Sequence, residues 1–120
     1  GQPCKHMQLP TTLPTLDEIL GVDGLTVDNV HEHLLGLTDP HRHGPRDHVF
    51  TLHAELEGQK LAPIFDRLLA GWRAQGHLLG TMGDYHATLT HQMLPIHPFA
   101  WGEIPGRSGE LIVDLDCRSR

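Results

Sequence analysis

The longest amphipathic segment of the chain lies between Lys60 and Gly76. Its apolar side chains recur with helical spacing, which places them on one wide face: Leu61, Ile64, Phe65, Leu68, Leu69 and Trp72. Pro63 is tolerated in a first helical turn, and Gly76 is a typical terminator. The pattern predicts a core-facing helix, with Trp72 in the core rather than exposed for stacking on a sugar.

Shorter helices are predicted on both sides of this segment. Thr15 and Glu18 have the spacing of a capping box, so a short helix should begin at Leu16 and stop at Gly21. Thr26 can cap a second helix, whose apolar stripe has His31 and His33 on the opposite side; the stripe contains Val27, Val30, Leu34 and Leu37. A third short helix, in DYHATL, would be capped by Asp84.

Two strands are predicted to flank the long helix. Residues 49–52 suit a short strand covered on both faces, and HLLGTM at 77–82 suits a second one. The order strand, helix, strand predicts a right-handed parallel βαβ unit and therefore an α/β fold. A last strand is predicted in GELIVDLD, and residues 38–47, with two prolines and a glycine, are predicted to form an exposed loop.

The length and the breaker residues define the domain organisation. A chain of 120 residues is sufficient for one small core. From His91 onward, prolines and glycines interrupt any long element. We therefore expect residues 1–90 to form the folded portion and residues 91–120 to form an irregular Pro/Gly-rich tail.

Charge and cysteine content exclude several classes of function. Fifteen acidic and nine basic side chains give a net charge of −6, without a Lys/Arg cluster that could follow a phosphate backbone, so nucleic acid is not an expected partner. Cys4 and Cys117 form no CxxC pair, which argues against a zinc knuckle and is compatible with a reducing compartment. No apolar run is long enough to span a bilayer.

Eleven histidines suggest a metal-binding hypothesis. In HEH, His31 and His33 would project about 200° apart on a helix, so they cannot grip one ion together. In HRH, His41 and His43 offer two imidazoles without a third ligand, which makes a weak and unselective site. A His-rich metal-binding module is therefore retained only as an alternative.

His53 is the strongest candidate for catalysis. It follows the predicted strand at 49–52, and functional groups gather at the carboxyl ends of parallel strands. An imidazole titrates near neutrality, so it can give a proton to a leaving group and recover it within one turnover. The alternative is a histidine whose ring nitrogens are satisfied by the backbone at a strand end. The catalytic interpretation requires that the His53 ring face an open site.

The residues around His53 resemble a known family. HVFTLHAELEG, followed by an amphipathic helix and RAQG, is similar to the last characteristic motif of the polysaccharide deacetylase (NodB-homology) superfamily. Within it, LPTTLPTLDEILG, then HAELEG, then GEIPGRSGEL resemble in order the C-terminal part of the 4-deoxy-4-formamido-L-arabinose-phosphoundecaprenol deformylases. These motifs are spread over most of the chain.

The resemblance implies a distorted (β/α) barrel in which a divalent metal, zinc or similar, is held by an Asp and two His. It implies a hydrolase of carbon–nitrogen bonds other than peptide bonds, which removes a formyl or acetyl group from a lipid-linked aminosugar in lipid A modification. Such a substrate implies a cytoplasmic protein with peripheral contact to the inner membrane. MLPIHPFAW, at 93–101, has no basic residue to attract anionic lipid and is expected to pack across the barrel.

By this resemblance His53 matches the histidine that protonates the departing amine. Asp17 matches the acidic residue that holds the imidazole in its charged form, although it can also be a first-turn carboxylate that only favours the helix dipole. Glu55, assigned to substrate binding, and Glu57 belong either to the mouth of the site or to solvent.

The family's metal-binding motifs and its arginine motif are not found in this chain, which begins at Gly1 without a methionine. We therefore expect the closing portion of a longer enzyme, which needs the front of the barrel as its partner, binds no metal through family-type ligands and is inactive alone. A second alternative is a non-catalytic packing segment, whose exposed apolar surface would cause self-association.

Overall fold

The computed structural model describes residues 6–89, 94–104 and 107–115. Its contacts divide the chain into two units, Pro10–Leu79 and a second unit formed by Gly1–Leu9 with Gly80–Arg120. The predicted boundary between a folded portion and a tail, at residues 90 and 91, lies outside the described residues.

The unit Pro10–Leu79 is helical in its described elements. It contains α1 (Leu16–Ile19), α2 (Val30–Leu37), α3 (Pro40–His43), a π-helix (Leu56–Lys60) and α4 (Ala62–Ala74). Helix α4 confirms the predicted amphipathic segment, with a proline in its first turn and Gly76 at a φ of +88° just after its end. Helix α1 begins at Leu16 as predicted and ends two residues before Gly21.

The core of this unit forms where α2 packs against α4. Its buried apolar side chains come from these helices, from α1 and from the residues that precede α1 and α4: Leu13, Leu16, Val30, Leu34, Leu61, Ile64, Leu68 and Trp72. The predicted stripe of α2 is confirmed for Val30 and Leu34, whereas Val27 is 50% and Leu37 is 37% exposed. Trp72 is a core residue, as predicted, with 7% of its surface exposed.

A buried polar network joins the ends of α2 and α4. The hydroxyl of Thr38 accepts the indole N–H of Trp72 at 3.1 Å and donates to Oε1 of Gln75 at 2.8 Å. The amide nitrogen of Gln75 donates to the carbonyl of Leu35 at 2.7 Å. Because the last carbonyls of a helix have no partner within that helix, the Gln75 bond satisfies one of them.

The predicted parallel βαβ unit is absent from the described residues. Residues 49–52 have no β-ladder; Val49 alone bonds to a neighbouring segment, its carbonyl accepting the N–H groups of Thr12 and Leu13 at 3.0 and 3.2 Å. Leu78 is fully exposed and Leu79 is 42% exposed, so the second predicted strand faces no core. A parallel strand requires repeated bonds to a neighbour, and neither segment supplies them to the other.

Two further local predictions are corrected. Residues 38–47 contain the single turn α3, which begins because the side chain of Asp39 accepts the N–H of His41 at 2.9 Å. Helix α5 (Met82–Thr88) begins before Asp84, because Thr81 is its N-cap and accepts the Asp84 N–H at 3.1 Å.

The second unit contains α5 and an antiparallel hairpin. Strand β1 (Phe99–Glu103) pairs with β2 (Glu110–Asp114), with Trp101 opposite Ile112. Strand β2 confirms the strand predicted in GELIVDLD. Of the segment MLPIHPFAW, Met93 lies outside the described residues, and Ile96 and Trp101 are 83% and 67% exposed.

Candidate active site around His53

Two residues that the sequence placed in one site meet in the structure. Nδ1 of His53 lies 3.5 Å from Oδ1 of Asp17. Asp17 is in the first turn of α1, which is anchored by the fully buried Leu16, and His53 precedes the π-helix. Packing of α1 on the core therefore carries the carboxylate to the imidazole.

Nδ1 and the rest of the His53 ring have different surroundings. Nδ1 is buried and makes no hydrogen bond within the described part of the chain, so its 3.5 Å approach to Asp17 lacks hydrogen-bond geometry. Because the side chain is 32% exposed while Nδ1 is not, the exposed surface belongs to other atoms of the ring. The ring can therefore be approached from solvent, with Nδ1 turned toward Asp17.

The two glutamates after His53 lie in different environments. Glu55 is exposed, as a residue at a site mouth or in solvent would be. Glu57 is 1% exposed, which corrects the expectation that it belongs to the mouth or to solvent. Its Oε2 accepts the backbone N–H of His53 at 2.7 Å. The signal that could have indicated this contact is a carboxylate one helical turn after His53, since an acidic side chain can reach back to a backbone N–H at the start of its turn.

No metal centre is formed by the described residues. Residues 6–89, 94–104 and 107–115 contain no group of three or more His, Cys, Asp or Glu side chains able to hold an ion. His41 and His43 are both exposed and lie on the single turn α3, where residues two apart project away from each other. The divalent metal that the resemblance implies therefore finds no fitting ligand set in this part of the chain.

A second pair of histidines lies close together in the same unit. The rings of His48 and His77 are 6.0 Å apart in an edge-to-face arrangement. Nε2 of His77 is 2.9 Å from the carbonyl of Thr38, so this nitrogen carries the proton. Burial lowers the pKa of His48, and the nearby His77, Arg46 and His43 lower it further, against an opposing effect of Asp47.

An open groove of about 340 Å³ lies elsewhere in this unit. Its walls are mainly apolar, with Asp28, Lys60 and Arg67 at the rim, and its lining residues are Val27, Asp28, Lys60, Leu61, Pro63, Ile64 and Arg67. Neither His53 nor Asp17 lines it. The groove is thus separate from the Asp17–His53 pair.

Comparison with known proteins relates part of the chain to a deformylase. The chain is 37% identical over 62 residues to the probable 4-deoxy-4-formamido-L-arabinose-phosphoundecaprenol deformylase ArnD of Shewanella sediminis. The match covers 52% of this chain and 19% of that relative. No family model matches, and no solved structure gives a significant match. The match supports an origin among proteins of the deformylase and deacetylase type.

The described helices are short relative to the thickness of a bilayer, and α4 has 13 residues. Within the described ranges, none has both the length and the apolar character that crossing a membrane demands.

Proposed function

We propose that this chain is the C-terminal part of a metal-dependent amide hydrolase, in which His53 protonates the leaving amine and Asp17 holds the imidazole. The observation that carries the proposal is the 3.5 Å contact between Asp17 and His53. Two segments that are distant in the sequence are packed so that a carboxylate meets one imidazole nitrogen. The partial match to the ArnD deformylase supports the same chemistry.

The proposed substrate is a formyl, or alternatively an acetyl, amide of a lipid-linked aminosugar. An amide nitrogen is a poor leaving group, so cleavage of its C–N bond requires a positioned acid. Water adds to the carbonyl carbon, the C–N bond breaks, and the amine leaves with the proton given by His53. The oxygen of the water becomes part of the released formate, one of its protons restores the imidazole and the other protonates the released amine, so the protein ends unchanged.

The remainder of the proposed enzyme lies outside what this chain supplies. The match covers about a fifth of the relative, and the described residues offer no ligand set for a metal. We propose that the barrel and the metal site need the partner portion of the protein. We propose that Glu55, which is exposed, lies at the mouth of the site and contacts the polar sugar.

The proposal is tested by a chimera. The C-terminal part of the ArnD relative is replaced by the full 120-residue chain, and release of formate from a formamido-sugar is measured. The chimera should be active, and His53→Ala should lower kcat by about 100-fold or more. His43→Ala, which changes an exposed histidine on α3, is the matched control and should leave the rate unchanged.

Two outcomes would contradict the proposal. One is a chimera that is active but indifferent to His53→Ala. The other is robust deformylation by the 120-residue chain alone with added zinc, which would show that it needs no partner portion.

A second interpretation, the non-catalytic packing segment, is favoured by exposed apolar side chains. Leu78 is 100%, Ile96 is 83% and Trp101 is 67% exposed. Isolated apolar residues on a surface are common, whereas a contiguous patch favours association. Sedimentation velocity separates the two cases: concentration-dependent self-association supports a packing segment, and a monodisperse monomer contradicts it.

A further inference from the structure

The turn after His53 is closed in both directions by hydrogen bonds. The carbonyl of His53 accepts the N–H groups of Leu56 and Glu57, both at 2.9 Å. In return, Oε2 of Glu57 accepts the N–H of His53 at 2.7 Å. This arrangement is similar to a capping box with its acidic residue one position later. The backbone of His53 is therefore fixed on its N–H side and on its carbonyl side by the same turn.

The Glu57 side chain that closes this turn carries a free-energy penalty, because it is a buried carboxylate. Glu57 is 1% exposed, and its second oxygen, Oε1, is buried without a hydrogen-bond partner in the described part of the chain. An unpaired polar atom in the interior opposes folding, and an apolar residue of the same size would avoid that penalty at the cost of leaving the His53 N–H without its acceptor. Burial of this carboxylate therefore calls for a role beyond filling space.

The direction of the His53 ring depends on the backbone that Glu57 holds. Nδ1 reaches Asp17 at 3.5 Å without hydrogen-bond geometry, so this contact alone orients the ring weakly. A fixed backbone limits the positions that the imidazole can reach, because side chains occupy only a few staggered rotamers. Loss of the Glu57 bond would thus allow the ring to leave Asp17.

We propose that Glu57 is a positioning residue, which holds the His53 backbone so that Nδ1 faces Asp17 and the rest of the ring faces the substrate; its catalytic consequence rests on the proposed function above. Glu57 acts through the main chain and touches no substrate. The neighbouring Glu55 is exposed and forms the matched control.

The experiment uses three variants of the full chain labelled with ¹⁵N. Glu57→Gln keeps an oxygen that can accept the His53 N–H, Glu57→Met keeps the side-chain volume without an acceptor, and Glu55→Ala removes the exposed carboxylate. Amide hydrogen exchange at His53 and the ¹⁵N signals of its ring are measured with and without Asp17→Asn.

In Glu57→Met, exchange at the His53 amide should accelerate by about ten- to a hundredfold, as expected for loss of a hydrogen bond to a charged group. The ring signals should also stop responding to Asp17→Asn. Glu57→Gln should restore most of the protection and most of that response, and Glu55→Ala should leave the His53 amide exchange and the ring signals unchanged.

A purely structural role predicts a different pattern. Glu57→Met would then change global stability while the ring signals still respond to Asp17→Asn, and this result would overturn the proposal. Unchanged exchange at the His53 amide would overturn it as well. If Glu57→Met does not fold, the test is the comparison of Glu57→Gln with the unmodified chain. Glu57→Gln keeps an acceptor for the His53 N–H, so ring signals that no longer respond to Asp17→Asn in this variant would contradict the proposal.

None of these readouts requires turnover, so they fail or succeed independently of the hydrolase proposal. In the active chimera, substitution of Glu57 should also have a kinetic effect, which is measured independently of the amide and ring signals. Glu57→Met should lower kcat by about tenfold or more with KM little changed, since only the proton donor is displaced. Glu57→Gln should remain within about threefold of the unmodified chimera. An inactive chimera would contradict the proposed function while leaving the amide and ring results to decide the role of Glu57.

Discussion

The carboxylate of Asp17 lies 3.5 Å from Nδ1 of His53, and its neighbour Leu16 is fully buried in the core. Adjacent residues of one short helix thus have separate tasks: Leu16 fixes α1 to the core, and Asp17 faces the imidazole. Side-chain exposure of 48% at Asp17 means that solvent screens its charge, so the contact contributes little to stability.

Replacement of these two neighbours should therefore have unequal effects on folding. Leu16→Ala removes a fully buried side chain and should lower the free energy of unfolding by about 2–5 kcal/mol. Asp17→Asn should change it by less than about 1 kcal/mol. Urea unfolding followed by circular dichroism measures both values. A large loss of stability in Asp17→Asn would show that the carboxylate serves the fold rather than the site.

The Thr38 hydroxyl should be important for stability because it bonds at once to the buried Trp72 and the half-buried Gln75. Thr38→Val removes the acceptor of the Trp72 indole N–H and the donor to Gln75, and should cost about 1–3 kcal/mol. Thr38→Ser keeps the hydroxyl and should recover most of that loss. Urea unfolding gives the stabilities, and the ¹H shift of the Trp72 indole reports the bond. Equal stability of the Val and Ser variants would argue against the network.

Gly71 allows α4 to approach α2 closely. A Cβ at this position would lie 2.5 Å from Cδ1 of Leu35. Overpacking costs about 1–3 kcal/mol, while Gly→Ala in a helix returns about 1 kcal/mol. Gly71→Ala should therefore be destabilising by about 1 kcal/mol.

The same substitution should reverse its sign when the obstructing side chain is removed. In a Leu35→Ala background, Gly71→Ala should stabilise by about 1 kcal/mol, because only the helix propensity remains. A double-mutant cycle measured by urea unfolding tests this coupling. Additive effects would mean that Leu35 does not meet position 71.

Helices that depend on local pattern could be predicted from the sequence, and contacts between distant segments could not. Helix α4 depends on its own apolar periodicity, a proline in its first turn and a terminating glycine. Its position in the sequence and its buried face could therefore be predicted. The strands at 49–52 and 77–82 were wrong because a strand depends on a partner that apolar content does not reveal. Strand β1 was missed because Pro98 and Gly102 read as breakers.

The family resemblance named both residues of the Asp17–His53 contact, whereas the geometry of that contact could not be predicted. Asp17 and His53 were chosen through family resemblance, since nothing local links them, and their contact is formed by the packing of α1. Glu57 was placed at the mouth or in solvent because a carboxylate in a polar turn is ordinarily exposed. In the structure its carboxylate is buried and bonds to the His53 N–H, a contact that hydropathy cannot indicate.

His48 should make the stability of the unit Pro10–Leu79 depend on pH. Burial lowers its pKa below the ordinary value of 6.5, with the basic neighbours His77, Arg46 and His43 acting in the same direction. The unfolded chain therefore binds more protons than the folded chain between the two pKa values. The free energy of unfolding should fall as the pH drops below 6.5 and level off below the folded pKa.

Two substitutions test this dependence in opposite directions. His48→Gln removes the titrating group and should flatten the pH dependence, whereas Asp47→Asn removes the charge that opposes the lowered pKa and should steepen it. Urea unfolding across the pH range that brackets the ordinary histidine pKa measures both slopes. If His48→Gln keeps the slope of the unmodified chain, another group carries the pH dependence, and the desolvated environment assigned to His48 is wrong.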